Sequence, residues 1–267
     1  EDVNAPSKKI MVERKRLTAS DNWSNILIEN ATNFSNNDDC RLGNFFTVKR
    51  GIATGDNDFF VVNMDTIEKY HIPKKFLKPV LPSPRFLKEN IILSDNEGNI
   101  TLEQKQFLFS CGLPEDILKE KYPSVWEYIQ EGIKRGINKG YICSHRPLWY
   151  FCEDRKPAPF VIPYMGRGDS SKKMFRFILN KTKAITTNVY LLLYPKENYS
   201  KCLTDTNLLN EVWQTLNEVT SEQFAINGRE YGGGLHKLEP KELLNIKVPT
   251  LSSLLMPRQS FYEPTLF

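Results

Sequence analysis

The chain of 267 residues carries 36 Lys and Arg against 32 Asp and Glu, with 40% hydrophobic, 12% aromatic and 25% charged residues. This is the composition of a folded globular protein, and it excludes a disordered tail, a coiled coil or a collagen-like rod. The longest apolar runs, such as Val189 to Tyr194, fall far short of the roughly 18 to 20 residues that cross a bilayer.

In chain order, residues 1–39 read as a basic arm (Lys8, Lys9, Arg14, Lys15, Arg16) followed by a Ser/Asn/Asp-rich linker. Phe45 to Val48 and Phe59 to Val62 predict two strands around the turn-rich Gly51 to Asp58. Prolines 79, 82 and 84 predict an extended crossover over Leu77 to Leu87, and Ile91 to Leu93 with Ile100 to Leu102 a hairpin. Pro114 to Lys121 and Pro123 to Lys134 predict two helices, each opened by its proline. Four β-rich runs follow: Leu148 to Cys152, Phe160 to Tyr164, Met174 to Leu179 and Ile185 to Tyr194. The clearest helix spans about Thr206 to Val219, with Asp205 or Thr206 as its cap and Leu208, Leu209, Val212, Trp213, Leu216 and Val219 on one stripe. Gly228 to Glu239 reads as a glycine-rich approach to a short helix at Pro240 to Leu244, and Ile246 to Pro249 as a last strand. The expectation is an α+β fold with a mixed or antiparallel sheet core and flanking helices, residues 40–250 forming one domain and 251–267 an irregular tail.

Charge is distributed unevenly. From Lys134 to Asn188 twelve Lys and Arg face only Glu153, Asp154 and Asp169, a local charge of +9 that leaves −5 for the remainder. Eight aromatics interleave with them: Tyr141, Trp149, Tyr150, Phe151, Phe160, Tyr164, Phe175 and Phe177. Cations that release counterions from phosphates, with rings that stack on bases, are the chemistry of a polyanion surface. Strand alternation would equally send most of the rings inward as core and leave the charges as a solvated face.

Other chemistries find little support. The five cysteines form an odd set without a Cys-x-x-Cys pair, so reduced thiols are expected, and Cys143-x-His145 with Cys152 lacks a fourth metal ligand at sensible spacing. There is no phosphate-binding Gly-x4-Gly-Lys-Ser/Thr, no Gly-x-Ser-x-Gly elbow, and Gly232 to Gly234 lacks the context of a dinucleotide fingerprint. Asp95 with Glu103-x-Lys105 loosely fits a metal-dependent restriction endonuclease, the alternative reading, but such spacing arises readily by chance in a charge-rich chain.

Several separated blocks carry a resemblance: Thr47-Val-Lys-Arg-Gly-Ile-Ala-Thr-Gly55, Phe76 to Arg85, His145-Arg-Pro-Leu-Trp-Tyr150, Tyr164-Met-Gly-Arg167, Phe175 to Asn180, Tyr190 to Pro195 and Gly228 to Leu243. Over Cys40 to Pro249 the sequence resembles the C-terminal target recognition region of gamma-class DNA adenine-N6 methyltransferases of restriction-modification systems. That resemblance implies a domain that binds double-stranded DNA and works beside a separate domain holding S-adenosylmethionine and an Asn-Pro-Pro-Tyr motif. Neither Asn-Pro-Pro-Tyr nor Asp-Pro-Pro-Tyr occurs here, so no cofactor, metal or catalytic residue is assigned to this chain. The chain opens on Glu1 with no basic-then-apolar leader, and a cytoplasmic protein without a membrane partner is expected.

Within the matched loops, and among the basic residues, the candidate DNA contacts are Lys49, Arg50, Thr54, Asn57, Arg85, Arg146, Arg167, Lys172, Lys173, Arg176, Asn180, Lys181, Arg229, Tyr231 and Lys237. Arg146 and Arg167 sit beside rigid or small neighbours and are the candidate readers of guanine, since a guanidinium can bond bidentately to O6 and N7.

Overall fold

The computed structural model describes residues 40–98, 100–102, 105–168 and 173–255. The arm and linker over 1–39, Glu103, Lys172 and residues 256–267 of the expected tail lie outside them.

Eleven strands are described: β1 (Phe46–Arg50), β2 (Val61–Val62), β3 (Leu77–Val80), β4 (Ile91–Ile92), β5 (Gln106–Phe109), β6 (Phe160–Pro163), β7 (Met165–Arg167), β8 (Ile178–Asn180), β9 (Tyr190–Pro195), β10 (Arg229–Tyr231) and β11 (Leu235–Lys237). They form a mixed five-stranded sheet in the order β1-β9-β6-β8-β4, in which only the β4–β8 pair is parallel, and two antiparallel three-stranded sheets, β10-β11-β7 and β2-β5-β3. The fold is α+β, as expected.

Both faces of the five-stranded sheet are covered, which explains why its central strands read as unbroken apolar runs instead of alternating ones. Phe160 and Ile162 of β6 and Leu191 and Leu193 of β9 point into one core, beneath the helices Thr206–Leu216, Pro240–Leu244 and Pro249–Leu255. Their sequence neighbours Val161, Tyr190 and Leu192 point into the opposite core with Leu81, Ile92 and Ile100. A third core lies between β2-β5-β3 and the helices Glu115–Lys121 and Pro123–Lys134, where Val125 and Ile129 lie one turn apart. Pro79 lies in β3, the end strand of the β2-β5-β3 ladder; its carbonyl accepts the Ile185 N–H at 2.9 Å on the side away from β5, so its missing N–H costs that ladder no bond.

Several expectations are corrected, in three runs by a side-chain hydrogen bond that overrides strand propensity. The Asp56 carboxylate accepts the N–H of Phe59 at 2.8 Å and turns Asn57–Phe60 into a helix, leaving only Val61 and Val62 as strand. Leu148 to Cys152 has no strand: the Cys152 N–H donates to Ser110 Oγ at 3.0 Å, and the Tyr150 carbonyl accepts from Cys111 N. In the run from Met174, the Phe177 N–H donates to Asn217 Oδ1 at 3.0 Å and its carbonyl accepts the Trp213 indole N–H at 2.8 Å, so β8 begins only at Ile178. Ile185 and Thr187 make isolated bridges, and β9 starts at Tyr190. Ile246 to Pro249 is no strand but a single bridge at Lys247 leading into the helix Pro249–Leu255. The buried Leu251 fastens that helix to the main core, so residues 251–255 are part of the packed body, not an irregular tail. Gly228 to Glu239, expected as a loop, contains the β10–β11 hairpin.

Candidate nucleic-acid interface

The β10-β11-β7 sheet follows from two features of its sequence. Tyr231 pairs with Leu235, leaving Gly232, Gly233 and Gly234 as the turn, and Gly233 and Gly234 take φ of 75° and 67°, a region that side chains with a Cβ rarely enter. In β7, a Cβ on Gly166 would lie 2.1 Å from the Met174 carbonyl oxygen, so only glycine lets the strand lie against that segment.

Register then sorts the side chains. Arg229, Lys237 and Met165 are cross-strand partners, as are Tyr231, Leu235 and Arg167, while Glu230, His236 and Gly166 form the row between. Residues two apart on a strand share a face, so the six outer residues lie on one side and the middle row on the other. His236, 8% exposed, and Gly166, close against Met174, face inward, while Glu230 on the outer strand of the same row stays exposed. The outward face therefore presents a cation and an apolar side chain from every strand: Arg229 and Tyr231, Lys237 and Leu235, Arg167 and Met165. Tyr231 and Met165 are 46% and 48% exposed. At a spacing of about 4.8 Å per strand the face is roughly 10 Å wide.

This face extends onto the main sheet through Tyr164. The Arg50 guanidinium, at the end of β1, stacks 4.0 Å above the Tyr164 ring, and the Lys237 ammonium lies 5.1 Å from the same ring. Tyr164 donates its hydroxyl to Glu239 Oε1 at 2.6 Å, and Lys237 Nζ pairs with that oxygen at 2.9 Å. Burial, followed by the bond to Glu239, pushes the Tyr164 hydroxyl up. Burial alone would raise Glu239, but the bonds from Tyr164 and Lys237 outweigh it and hold the carboxyl below its ordinary value. Lys237, bonded to Tyr164 and Glu239, is raised and stays charged. Arg229 donates Nε–H to Glu242 at 2.8 Å, which leaves its terminal nitrogens facing out. Arg167 has no hydrogen-bonding or ionic partner among the described residues.

The candidate residues thus divide. Arg50, Arg167, Arg229, Tyr231 and Lys237 come together, although only Arg167 belongs to the basic window. Exposed Lys49 lies on the same edge strand as Arg50. Others serve the fold. Asn180, buried, donates to the Ala158 and Ala184 carbonyls at 3.1 and 2.9 Å and accepts from the Thr182 N–H and hydroxyl. The Arg146 guanidinium donates to the Ala53 carbonyl at 2.6 Å and to the Trp149 carbonyl at 3.4 Å. It lies over the Phe60 ring. Arg176 binds the carbonyls of Leu87, Lys88 and Glu89, and buried Thr54 donates its hydroxyl to Asn57 Oδ1 at 2.7 Å. Lys173 donates to the Asn217 carbonyl, Arg85 is exposed on the turn after β3, and Lys181 follows β8 half-buried. The basic window is therefore dispersed, and Tyr150, Phe160, Tyr164, Phe175 and Phe177 of its aromatics are buried.

Asp95 accepts the Glu97 N–H at 2.9 Å in a turn and Lys105 is exposed. The described cysteines are unpaired, with burial pushing the Cys152 and Cys202 thiols up to about 11. Among the described residues no three His, Cys, Asp or Glu side chains gather as a metal site would require, and no helix is long and apolar enough to cross a membrane.

Residues 22–261 match the family described as the Type II methyltransferase M.Eco57I, C-terminal domain. The chain belongs to this family. As a member of the M.Eco57I C-terminal family it is 30% identical over 198 residues to the Type II methyltransferase M.AccI of Acinetobacter calcoaceticus, covering 73% of this chain and 34% of that protein. It is 25% identical over 253 residues to the Type II methyltransferase M.XamI of Xanthomonas campestris pv. amaranthicola, covering 95% of this chain and 44% of that protein. The chain thus spans between a third and a half of the length of these curated relatives. Among solved structures, the Type IIL restriction-modification enzyme MmeI in complex with DNA aligns at a TM-score of 0.44 and 11% identity, over 77% of this chain and 25% of that one.

Proposed function

We propose that this chain is the target recognition domain of a gamma-class adenine-N6 DNA methyltransferase, and that it holds double-stranded DNA on the β7-β10-β11 face. The observation that carries the reading is the register of that sheet, which collects Arg167, Arg229 and Lys237 on one outward face with Tyr231, Leu235 and Met165. Membership of a methyltransferase C-terminal family supports it, and the sequence blocks that resemble adenine-N6 enzymes support the finer assignment.

The geometry suits a duplex groove. A β-ribbon fits the B-DNA major groove, about 12 Å wide, and the β10–β11 hairpin with its glycine turn is such a ribbon. Phosphate contacts position the protein and groove contacts specify the sequence. In this arrangement Arg50, Lys237 and Arg229, each held by a ring or a carboxylate, take phosphates. Arg167, without a partner among the described residues, reads a base edge. Methyl transfer is the work of a separate S-adenosylmethionine domain in the longer protein.

Fluorescence anisotropy with labelled duplexes tests this. Wild-type protein is expected to bind with strong salt dependence, and the charge reversals Arg167→Glu, Arg229→Glu and Lys237→Glu together to abolish binding while leaving the circular dichroism unchanged. Unaltered binding by the folded triple variant would overturn the assignment of the face.

A further inference from the structure

The two carboxylates behind the β7-β10-β11 face come from one short helix. Glu239 and Glu242 take the cap and the third position of Pro240–Leu244, and the buried Leu243 anchors that helix in the main core. Glu242 is fixed at both oxygens: Oε2 accepts the Glu239 N–H at 2.7 Å and Oε1 accepts the Arg229 Nε–H at 2.8 Å. Glu239 Oε1 accepts the Tyr164 hydroxyl at 2.6 Å and pairs with Lys237 Nζ at 2.9 Å. Glu230, the third acid of this region, lies in the row on the other side of the sheet and makes no ion pair among the described residues.

For a polyanion these contacts have two consequences. The first is charge. Arg50, Arg229 and Lys237 stand against two carboxylates, a net charge of +1, so a duplex is drawn to the face less strongly than three free cations would draw it. The second is aim. With its Nε engaged, the Arg229 guanidinium is fixed in plane, and Lys237 is tethered between the Tyr164 ring and Glu239. A phosphate that falls where these donors point is bonded directly, whereas one that falls elsewhere is reached only by breaking an ion pair. Both effects weigh more against a duplex in the wrong register than against one in the right register. Specificity is a difference of affinities, and an element that repels the wrong partner raises it as a new contact to the right one does.

We propose that Glu239 and Glu242 are positioning residues that set sequence specificity: they suppress binding of the face to unrelated DNA, and favour a duplex whose phosphates coincide with the aimed donors of Arg229 and Lys237 when Arg167 meets its base. The proposal rests on the DNA-recognition reading. It adds to it two residues that discriminate without touching DNA.

The test compares the full 267-residue chain with the double variant Glu239→Gln, Glu242→Gln, in which the Oε1 acceptors remain and only the charge is lost. The probes are a duplex enriched by the wild-type protein from a random pool and the same duplex with its sequence scrambled, titrated by anisotropy over a range of salt. The double variant is expected to bind the scrambled duplex several-fold more tightly, with a salt slope steeper by about 1 to 2 because two cations are freed, and to gain little or nothing on the enriched duplex. A purely structural role in capping the helix would instead weaken both duplexes and would not steepen the slope. Glu211→Gln with Glu218→Gln, both exposed and away from the hairpin, changes the net charge equally and is expected to leave the ratio of the two affinities unchanged. If circular dichroism shows the double variant unfolded, Glu242→Gln alone carries the test, since glutamine at that helix position keeps the bond to the Glu239 N–H. An unchanged affinity and slope for the scrambled duplex, an equal gain for both duplexes, or duplex binding from which wild type enriches no site would overturn the proposal and leave the DNA reading intact. If wild type binds no duplex at all, the DNA reading falls and the proposal falls with it.

Discussion

At the scale of single residues, Arg146 and Arg167 look alike in sequence and differ in what their guanidinium groups touch. Arg146 bonds the Ala53 and Trp149 carbonyls. Replacing it with Ala strips a charged donor from a partly buried acceptor, and we expect a loss of roughly 1.5 to 3 kcal/mol in denaturant unfolding with sequence preference unchanged. Arg167→Lys should do the reverse, keeping stability while relaxing preference at one base pair by roughly 1 to 3 kcal/mol, read by selecting bound sites from a random DNA pool. Retention of the parental site at parental stringency would remove Arg167 as a reader.

The pair Glu239 and Lys237 makes a pH-dependent statement. Glu239 is depressed in the folded protein, so its contribution is present above its ordinary value near 4.5 and is lost as pH falls through the lower folded value. Lys237 is raised, so its contribution is present at neutral pH and is lost only as pH rises through its folded value. Their side chains are 27% and 22% exposed, and solvent screening keeps the pair's contribution small. The stability gap between wild type and Glu239→Gln, measured by urea unfolding, is expected to close as pH falls from 4.5 through the depressed folded value. A gap that stays constant into acid would show that the Glu239 charge is not its source.

At the scale of elements, the β10–β11 hairpin is a thin projection whose turn needs φ > 0 at Gly233 and Gly234. A Cβ at either would meet no neighbour, so the cost is conformational alone, about 1 to 2 kcal/mol for a side chain forced into that region. Gly234→Val is therefore expected to weaken duplex binding several-fold by spoiling the hairpin. Its effect on the main thermal transition should be small, because the outward side chains of the hairpin are not part of the cores. A large drop in Tm with intact DNA binding would show that the hairpin braces the fold instead of contacting DNA.

At the scale of the molecule, Arg50, Arg229 and Lys237 supply up to three phosphate contacts. Two of them already hold carboxylates and share their charge with any phosphate. The slope of log affinity against log salt is accordingly expected at about −1 to −3, since each neutralised phosphate contributes about −0.9. A slope near zero would exclude the face as a DNA-binding surface. Calorimetry with S-adenosylmethionine is expected to show no binding to this chain, the cofactor belonging to the separate domain proposed for the longer protein, and micromolar binding would refute that division of labour.

What the sequence by itself determined is what short-range chemistry controls. Asp205 caps the helix Thr206–Leu216, prolines open the helices at Pro123 and Pro240, and the strands Phe46–Arg50 and Phe160–Pro163 lie within or next to the runs that predict them. The errors came where a residue distant in sequence supplied the hydrogen bond, as Asn217 and Trp213 do to Phe177, or Ser110 to Cys152. Five members of the candidate face were legible as residue types, but so were Asn180 and Arg146, and nothing local distinguishes a free amide or guanidinium from a buried, satisfied one. Only the tertiary structure decided between them. The face joins residues 50, 165–167 and 229–237, and its one-sidedness is a property of register: a slip of one residue between β11 and β7 would turn Arg167 to the opposite side. That register is set by the close passage of Gly166 past Met174 and by the packing of His236 inward, contacts that exist only once the chain has folded.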